Sequence, residues 1–198
     1  MKLVGITTRV EEHAYENTTE RRDALDQQWN SFLALCSLVP VLIPNNPDIA
    51  LILIKTAPLV GVVFSGGNTL QNHGGTAPER DATERAILAY AVSASFPVLG
   101  VCRGMQVIQH YFHGPLEKVP HHIGQHHRLS SGRTVNSYHD YGLRTTASMF
   151  EIKECAEDDT IEEIAHRTLP IHGIMWHPER TSPVDAQDIA LFKGHFLS

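Results

Sequence analysis

Short apolar runs alternate with longer amphipathic stretches over the first 112 positions. Lys2–Thr7, residues 39–43 and Leu59–Phe64 are short and largely apolar, the pattern of buried strands, and Leu59–Phe64 is apolar enough to be covered on both faces. A polar loop is expected up to Glu16. Beyond it Arg22, Leu25, Trp29, Phe32 and Leu33 recur at intervals of three and four, which predicts a helix over residues 18–36 with Thr18 or Thr19 as N-cap. Pro47 suits the first position of a short helix over residues 48–54. A second long helix is expected over residues 78–95, with Ala82, Ala86, Leu88, Ala89 and Val92 on its apolar stripe, followed by a strand at 96–101 and a helix at 103–112. The repeated strand–helix order predicts an α/β, flavodoxin-like three-layer fold: a mainly parallel central sheet with helices on both faces. The second half changes character. Residues 135–139, 149–155, 161–166 and 171–176 read as strands of an antiparallel extension, closed by a helix over residues 184–196.

Composition narrows the function classes. The chain has 198 residues with ordinary Gly and Pro content, so a single globular domain over 1–198 is expected and collagen-like or low-complexity readings are excluded. The net charge of 16 − 22 = −6 offers nucleic acid no basic footprint. No apolar run approaches the roughly 20 residues that span a bilayer, and no signal-peptide pattern opens the chain, so a cytoplasmic location is expected. Cys36, Cys102 and Cys155 are widely spaced and form no Cys-x-x-Cys pair, which argues against a disulfide framework. The thirteen histidines dominate any charge response in the acid range.

Candidate chemistry concentrates in two segments. Gly100-Val101-Cys102-Arg103-Gly104 places a cysteine between an apolar strand and a helix, with glycines two residues to either side, as in a G-x-[S/C]-x-G nucleophile elbow. Such a turn lifts the sulfur above the carboxyl edge of the sheet and sets it at a helix N-terminus, where thiolate is favoured. Trp176-His177-Pro178-Glu179 ends the last strand-like run with an imidazole and a carboxylate two residues apart, so that they can lie side by side. A cysteine nucleophile needs such a base, and the base needs a partner to fix its tautomer.

Together, Gly100-Val101-Cys102-Arg103-Gly104-Met105-Gln106 and Trp176-His177-Pro178-Glu179 resemble the class I glutamine amidotransferase superfamily. Within it, the chain is similar to the free-standing γ-glutamyl hydrolases of the peptidase C26 branch. The resemblance spans essentially the whole chain. It implies a Cys102–His177–Glu179 triad: nucleophile, general base and acid, and orienter. It also implies an oxyanion hole from the backbone amides of Gly67 and Arg103, since a Ser65-Gly66-Gly67 loop follows the third strand. Gly66, Gln106, Arg80, Ser137 and His139 become candidate substrate contacts, Arg80 as a bidentate partner of a substrate carboxylate. Pro78-Glu79-Arg80-Asp81-Ala82-Thr83-Glu84 and Asn136-Ser137-Tyr138-His139-Asp140-Tyr141 match further branch segments, although Tyr141 stands where the branch has Gln.

The residues 110–119 and 136–142 look closest to γ-glutamyl-CDP-amidate hydrolases, which act in making the phosphoramidate decoration of bacterial capsules. That reading implies cleavage of a γ-glutamyl–nitrogen bond through a thioester, releasing L-glutamate, with Arg9, Arg22, Arg80, Arg103 and Arg180 as candidates for a basic pocket rim. A glutaminase that delivers ammonia to a partner synthase is the alternative within the superfamily. A redox-sensing cysteine protein is the non-enzymatic one. The cluster His121-His122-Ile123-Gly124-Gln125-His126-His127 invites a metal reading, but its spacing fits no helical pair and it contains no acidic residue. A substrate-phosphate contact or a plain polar loop is favoured, and neither cofactor nor metal is expected. The expected partner is a small γ-glutamyl amide, with a second copy of the chain as a further candidate.

Overall fold

The computed structural model describes residues 1–198. In chain order the elements are β1 (Lys2–Thr7), β2 (Arg9–Tyr15), β3 (Thr18–Ala24), α1 (Gln28–Leu35), β4 (Leu38–Ile43), α2 (Pro47–Thr56) and β5 (Leu59–Phe64). There follow α3 (Pro78–Ala94), β6 (Val98–Val101), α4 (Arg103–Tyr111), β7 (Glu117–Lys118), β8 (Ile123–Arg128), β9 (Thr134–Tyr138) and β10 (Tyr141–Gly142). The chain ends with β11 (Phe150–Cys155), β12 (Ile161–His166), β13 (Ile171–Ile174) and α5 (Ala186–Leu197). No helix is long and apolar enough to cross a membrane.

A seven-stranded sheet of order β11-β12-β13-β6-β5-β1-β4 forms the centre. Five neighbouring strands, β13 to β4, run parallel, and β12 and β11 add an antiparallel edge. Two cores flank the sheet, as expected for strands apolar on both faces. One packs Ala50 and Ile54 of α2, Ile87, Leu88 and Ala91 of α3 and Met105 and Ile108 of α4 against it. The other packs Trp29, Phe32 and Leu33 of α1 with Phe192 and Phe196 of α5. Local signals hold where they were strong: Pro47 opens α2, and the Asn46 side chain accepts the Ile49 N–H at 3.1 Å.

Five expectations change. Residues 9–15, expected within a polar loop, form the strand β2. The predicted helix over residues 18–36 is a strand and a shorter helix, because β3 pairs with β2 as a hairpin around Glu16-Asn17. Its register sets Glu12 opposite Arg21, Glu11 opposite Arg22 and His13 opposite Glu20, so cross-strand charge pairing outweighs the helical spacing of Arg22 and Leu25. Residues 171–176 do not belong to the antiparallel extension, since β13 runs parallel beside β6 with Ile174 opposite Val101. Residues 135–139 lie outside the central sheet: β9 pairs with β8 as a separate hairpin, which also turns most of the histidine cluster from loop into strand.

Candidate active site

Because β5, β6 and β13 are parallel neighbours, their carboxyl ends open on one edge, and the three candidate segments emerge there side by side. Ser65-Gly66-Gly67 follows β5, Cys102 follows β6, and His177 stands three residues beyond β13. The Cys102 N–H donates to the Ile174 carbonyl at 2.8 Å, which ties the elbow to the strand that carries the histidine. Cys102 adopts φ 53° and ψ −106°, a strained conformation for a residue with a side chain. The flanking glycines make it feasible: a Cβ on Gly100 would meet the Gly104 backbone, and one on Gly104 would meet the Phe64 carbonyl.

His177 Nδ1 lies 2.6 Å from Glu179 Oε1, and both residues are buried. A carboxylate can only accept here, so Nδ1 carries the proton and Nε2 is left for the sulfur. Burial disfavours the imidazolium, but the Cys102 thiolate and then Glu179 overcome it and raise the His177 pKa to about 10. Burial pushes the Cys102 thiol up, yet the charge and hydrogen bonding of His177, with His139 and the Arg103 backbone N–H, lower it from 9.0. Cys36 is pushed up to about 12 by burial, and Cys155 is also raised by burial. Cys102 alone of the three is biased toward thiolate, and the arrangement can therefore hold a thiolate–imidazolium pair.

Gly66 packs directly against His177: a Cβ there would stand 2.5 Å from Cε1. Gly67 has φ +84° and lines, with Cys102, Arg103, Gln106, His139 and His177, a cavity of about 280 Å³. Gln106 donates from Nε2 to the Tyr141 carbonyl at 2.8 Å, which orients its amide in the cavity wall. A larger cavity of about 620 Å³, lined by Leu70, Asp81, Arg85 and His110, contains none of the candidate site residues.

Two residues take places other than those expected. Arg80 is fully buried, and its donors are engaged by the carbonyls of Ser65, Gly66 and Gly67, by Asn68 Oδ1 and by Glu84. It braces the glycine loop from behind and has no donor left for a substrate carboxylate. Ser137 is also buried and donates its hydroxyl to the His122 carbonyl at 2.6 Å, as a strut from β9 to the residue that precedes β8. The expected basic rim shrinks accordingly. The Arg103 side chain is buried against Glu84 and Asp81, and Arg22 pairs with Glu20 on the exposed β2–β3 hairpin. Arg180 remains in the cavity wall, its guanidinium 4.8 Å from the Tyr138 ring centre, while Arg9 lies behind Gly67 and pairs with Glu11.

Sequence reasoning missed Asn136 as a clamp. Its side chain accepts the His177 N–H and donates to the His177 carbonyl, both at 2.8 Å, fixing the backbone from which the imidazole projects. No local pattern announces this, because the partners lie 41 positions apart. Trp176 is likewise pinned, with its indole N–H on Asp188 at 3.0 Å. Beyond the cavity wall, His139 faces His122 and Glu162, all three buried with ligand-capable atoms within 4.8 Å of one another.

The peptidase C26 family model matches residues 2–131 and 120–179. A γ-glutamyl-CDP-amidate hydrolase from Campylobacter jejuni is 30% identical over 203 positions, covering 98% of this chain and 97% of the relative. A glutamine-hydrolyzing GMP synthase subunit from Pyrococcus furiosus is 28% identical over 69% of this chain and 74% of the relative. Among solved structures, a glutamine amidotransferase from Methylobacillus flagellatus aligns with a TM-score of 0.63 at 15% identity, covering 96% of this chain and 75% of that one, and so shares the fold.

Proposed function

Because the chain belongs to the peptidase C26 family, we propose that it is a cysteine hydrolase that cleaves the γ-glutamyl C–N bond of a small molecule. The observation that carries this reading is that Cys102 and His177 line one cavity of about 280 Å³ at the carboxyl edge of the sheet, with Glu179 buried behind the imidazole, 2.6 Å from its Nδ1. In the proposed reaction the Cys102 thiolate attacks the γ-carbonyl carbon, and the carbonyl electron pair moves to oxygen. The Gly67 and Arg103 backbone N–H groups receive that oxyanion; one well-aimed donor of this kind contributes about 2.7–4 kcal/mol. As the C–N bond breaks, His177 gives its proton to the leaving nitrogen, and a γ-glutamyl thioester remains on Cys102. Water then loses a proton to His177 and adds to the thioester carbonyl. The thiolate departs, and L-glutamate is released.

Gln106 and His139 line the cavity, and with its Nε2 committed to Tyr141 the Gln106 amide presents Oε1 as an acceptor for the glutamyl ammonium. Within this class, the near-full-length relative from Campylobacter jejuni favours γ-glutamyl-CDP-amidate as the substrate. Arg180 in the cavity wall supplies a cation for the phosphates of such a leaving group. The cavity volume suits the glutamyl group, and the nucleotide portion extends outward past Arg180.

The test is glutamate release by the purified chain from a panel of γ-glutamyl amines, glutamine and γ-glutamyl-CDP-amidate. The amidate is expected to turn over fastest and Cys102→Ser to abolish turnover. Normal turnover by that variant defeats the reading. The relative that forms part of a glutamine-hydrolyzing GMP synthase supports a second reading, a glutaminase that passes ammonia to a synthase. That reading predicts strong glutamine hydrolysis only when a synthase is added.

A further inference from the structure

The β8–β9 hairpin and β12 bring three residues far apart in sequence into one buried cluster. His122 Nδ1 lies 3.3 Å from His139 Nε2, His139 Nε2 lies 3.5 Å from Glu162 Oε1, and Glu162 Oε1 lies 3.7 Å from His122 Nδ1. The outer nitrogens of both rings are committed. His139 Nδ1 lies 3.0 Å from the Tyr141 carbonyl, which can only accept, so the proton is on Nδ1. His122 Nε2 lies 3.2 Å from Asp158 Oδ2, and that carboxylate is itself held by Thr160 and Arg144. In their neutral form both rings turn a lone pair inward, toward a carboxylate whose two oxygens are fully buried and without a hydrogen-bond partner.

Three acceptors converging in a buried place favour a cation between them, either a proton on a ring nitrogen or a metal ion. The spacing discriminates between the two that could serve. A proton shared between such groups draws them to about 2.7–3.2 Å, and all three edges here are longer. Zinc–nitrogen and zinc–oxygen bonds of about 2.0–2.2 Å at tetrahedral angles set ligand atoms roughly 3.3–3.6 Å apart, close to the observed triangle. The outer contacts also match a metal site, where a ligating histidine donates its other N–H to a carboxylate or a backbone carbonyl.

We propose that His122, His139 and Glu162 form a binding site for a divalent transition cation of the zinc type, set behind the wall of the cavity that holds Cys102, with His139 shared between the two. Two imidazoles and one carboxylate are the donor set of borderline-soft cations, and they leave a fourth position for water or an anionic ligand. The proposal stands independently of the hydrolase reading, since it concerns binding and needs no turnover.

The test uses full-chain Cys102→Ser protein, so that no catalytic thiol competes, in equilibrium dialysis against zinc sulfate followed by metal analysis. One zinc per chain is expected, with Glu162→Gln and His122→Asn each weakening affinity at least ~10-fold, and Asp158→Asn weakening it roughly 10–100-fold. Asp158 is partly exposed, so its variant reports on the site should either buried substitution prevent folding. Cobalt loading of the same protein is expected to give the intense visible bands of tetrahedral geometry. Failure of the Cys102→Ser protein to bind zinc overturns the proposal. So does zinc binding unaltered by these substitutions but lost on replacing the exposed His121 and His126, and so does an octahedral cobalt spectrum.

Discussion

At the scale of single residues the site depends on two contacts that leave no slack. Gly66 presents bare backbone to the His177 ring, and a methyl group at its Cβ position stands 2.5 Å from Cε1. Gly66→Ala is therefore expected to displace the imidazole and lower kcat about 10–100-fold, the scale of loss expected from a displacement near 1 Å. The fold should survive, as judged by circular dichroism alongside steady-state kinetics. The second contact is the Cys102–His177 pair. His177 is raised from 6.5 to about 10, so its imidazolium persists below that pH and is lost as pH rises through it. Cys102 is lowered from 9.0, so its thiolate is present above the lowered value and is lost as pH falls through it. The ion pair occupies the window between, and its two limits belong to the pair jointly. Alkylation of Cys102 by iodoacetamide is expected to reach half its maximal rate below pH 9.0. In His177→Ala, where burial acts without the charge and hydrogen bond of His177, that midpoint should rise. An unchanged midpoint contradicts the pairing.

At the scale of elements, α3 and the β8–β9 hairpin act as braces. Arg80 and Glu84, one turn apart on α3, are both fully buried, and Glu84 also accepts from Thr7 at 2.7 Å and from Arg103. This network joins β1, the glycine loop, α3 and the elbow helix α4. Arg80→Lys keeps the charge but cannot reproduce a guanidinium fork that reaches the carbonyls of Ser65, Gly66 and Gly67. It is expected to destabilise the protein by roughly 2–5 kcal/mol, measured by urea unfolding. From the hairpin, Asn136 holds both backbone polar groups of His177. Asn136→Ala leaves them buried and unpaired, and should cost about 1–3 kcal/mol while lowering kcat more than it changes KM.

At the scale of the whole molecule, the histidines divide into opposing groups. Burial lowers His195 to about 4, with His172 adding to the effect, whereas His139 and His177 are raised by acidic neighbours despite their burial. A histidine with a depressed pKa contributes stability above its unfolded value near 6.5, and that contribution disappears as pH falls toward 4. Melting temperatures between pH 7 and 4 are expected to fall less steeply in His195→Gln than in the unaltered protein. The difference should be on the order of 2–3 kcal/mol at the acid end. Parallel slopes for the two proteins exclude His195 as the cause.

The sequence by itself determined what is written within a few residues. The apolar strands Lys2–Thr7 and Leu59–Phe64, the Pro47 helix start, the glycine-flanked Cys102 and the His177–Glu179 pair depend on local periodicity, turn sterics and i, i+2 geometry. Only the tertiary structure decided the rest, because those outcomes are set by which distant segments pair. The charges of β2 and β3 become a hairpin only through their shared register, and β13 is parallel only because it lies beside β6. Arg80 reads as a partner for a substrate carboxylate until the carbonyls of Ser65, Gly66 and Gly67 close around it. His122 lies 17 positions from His139, and the two flank the β8–β9 hairpin, whereas Glu162 lies on β12 of the central sheet. Local chemistry along the chain fixed the reactive groups; long-range packing fixed their partners, their charge and their reach.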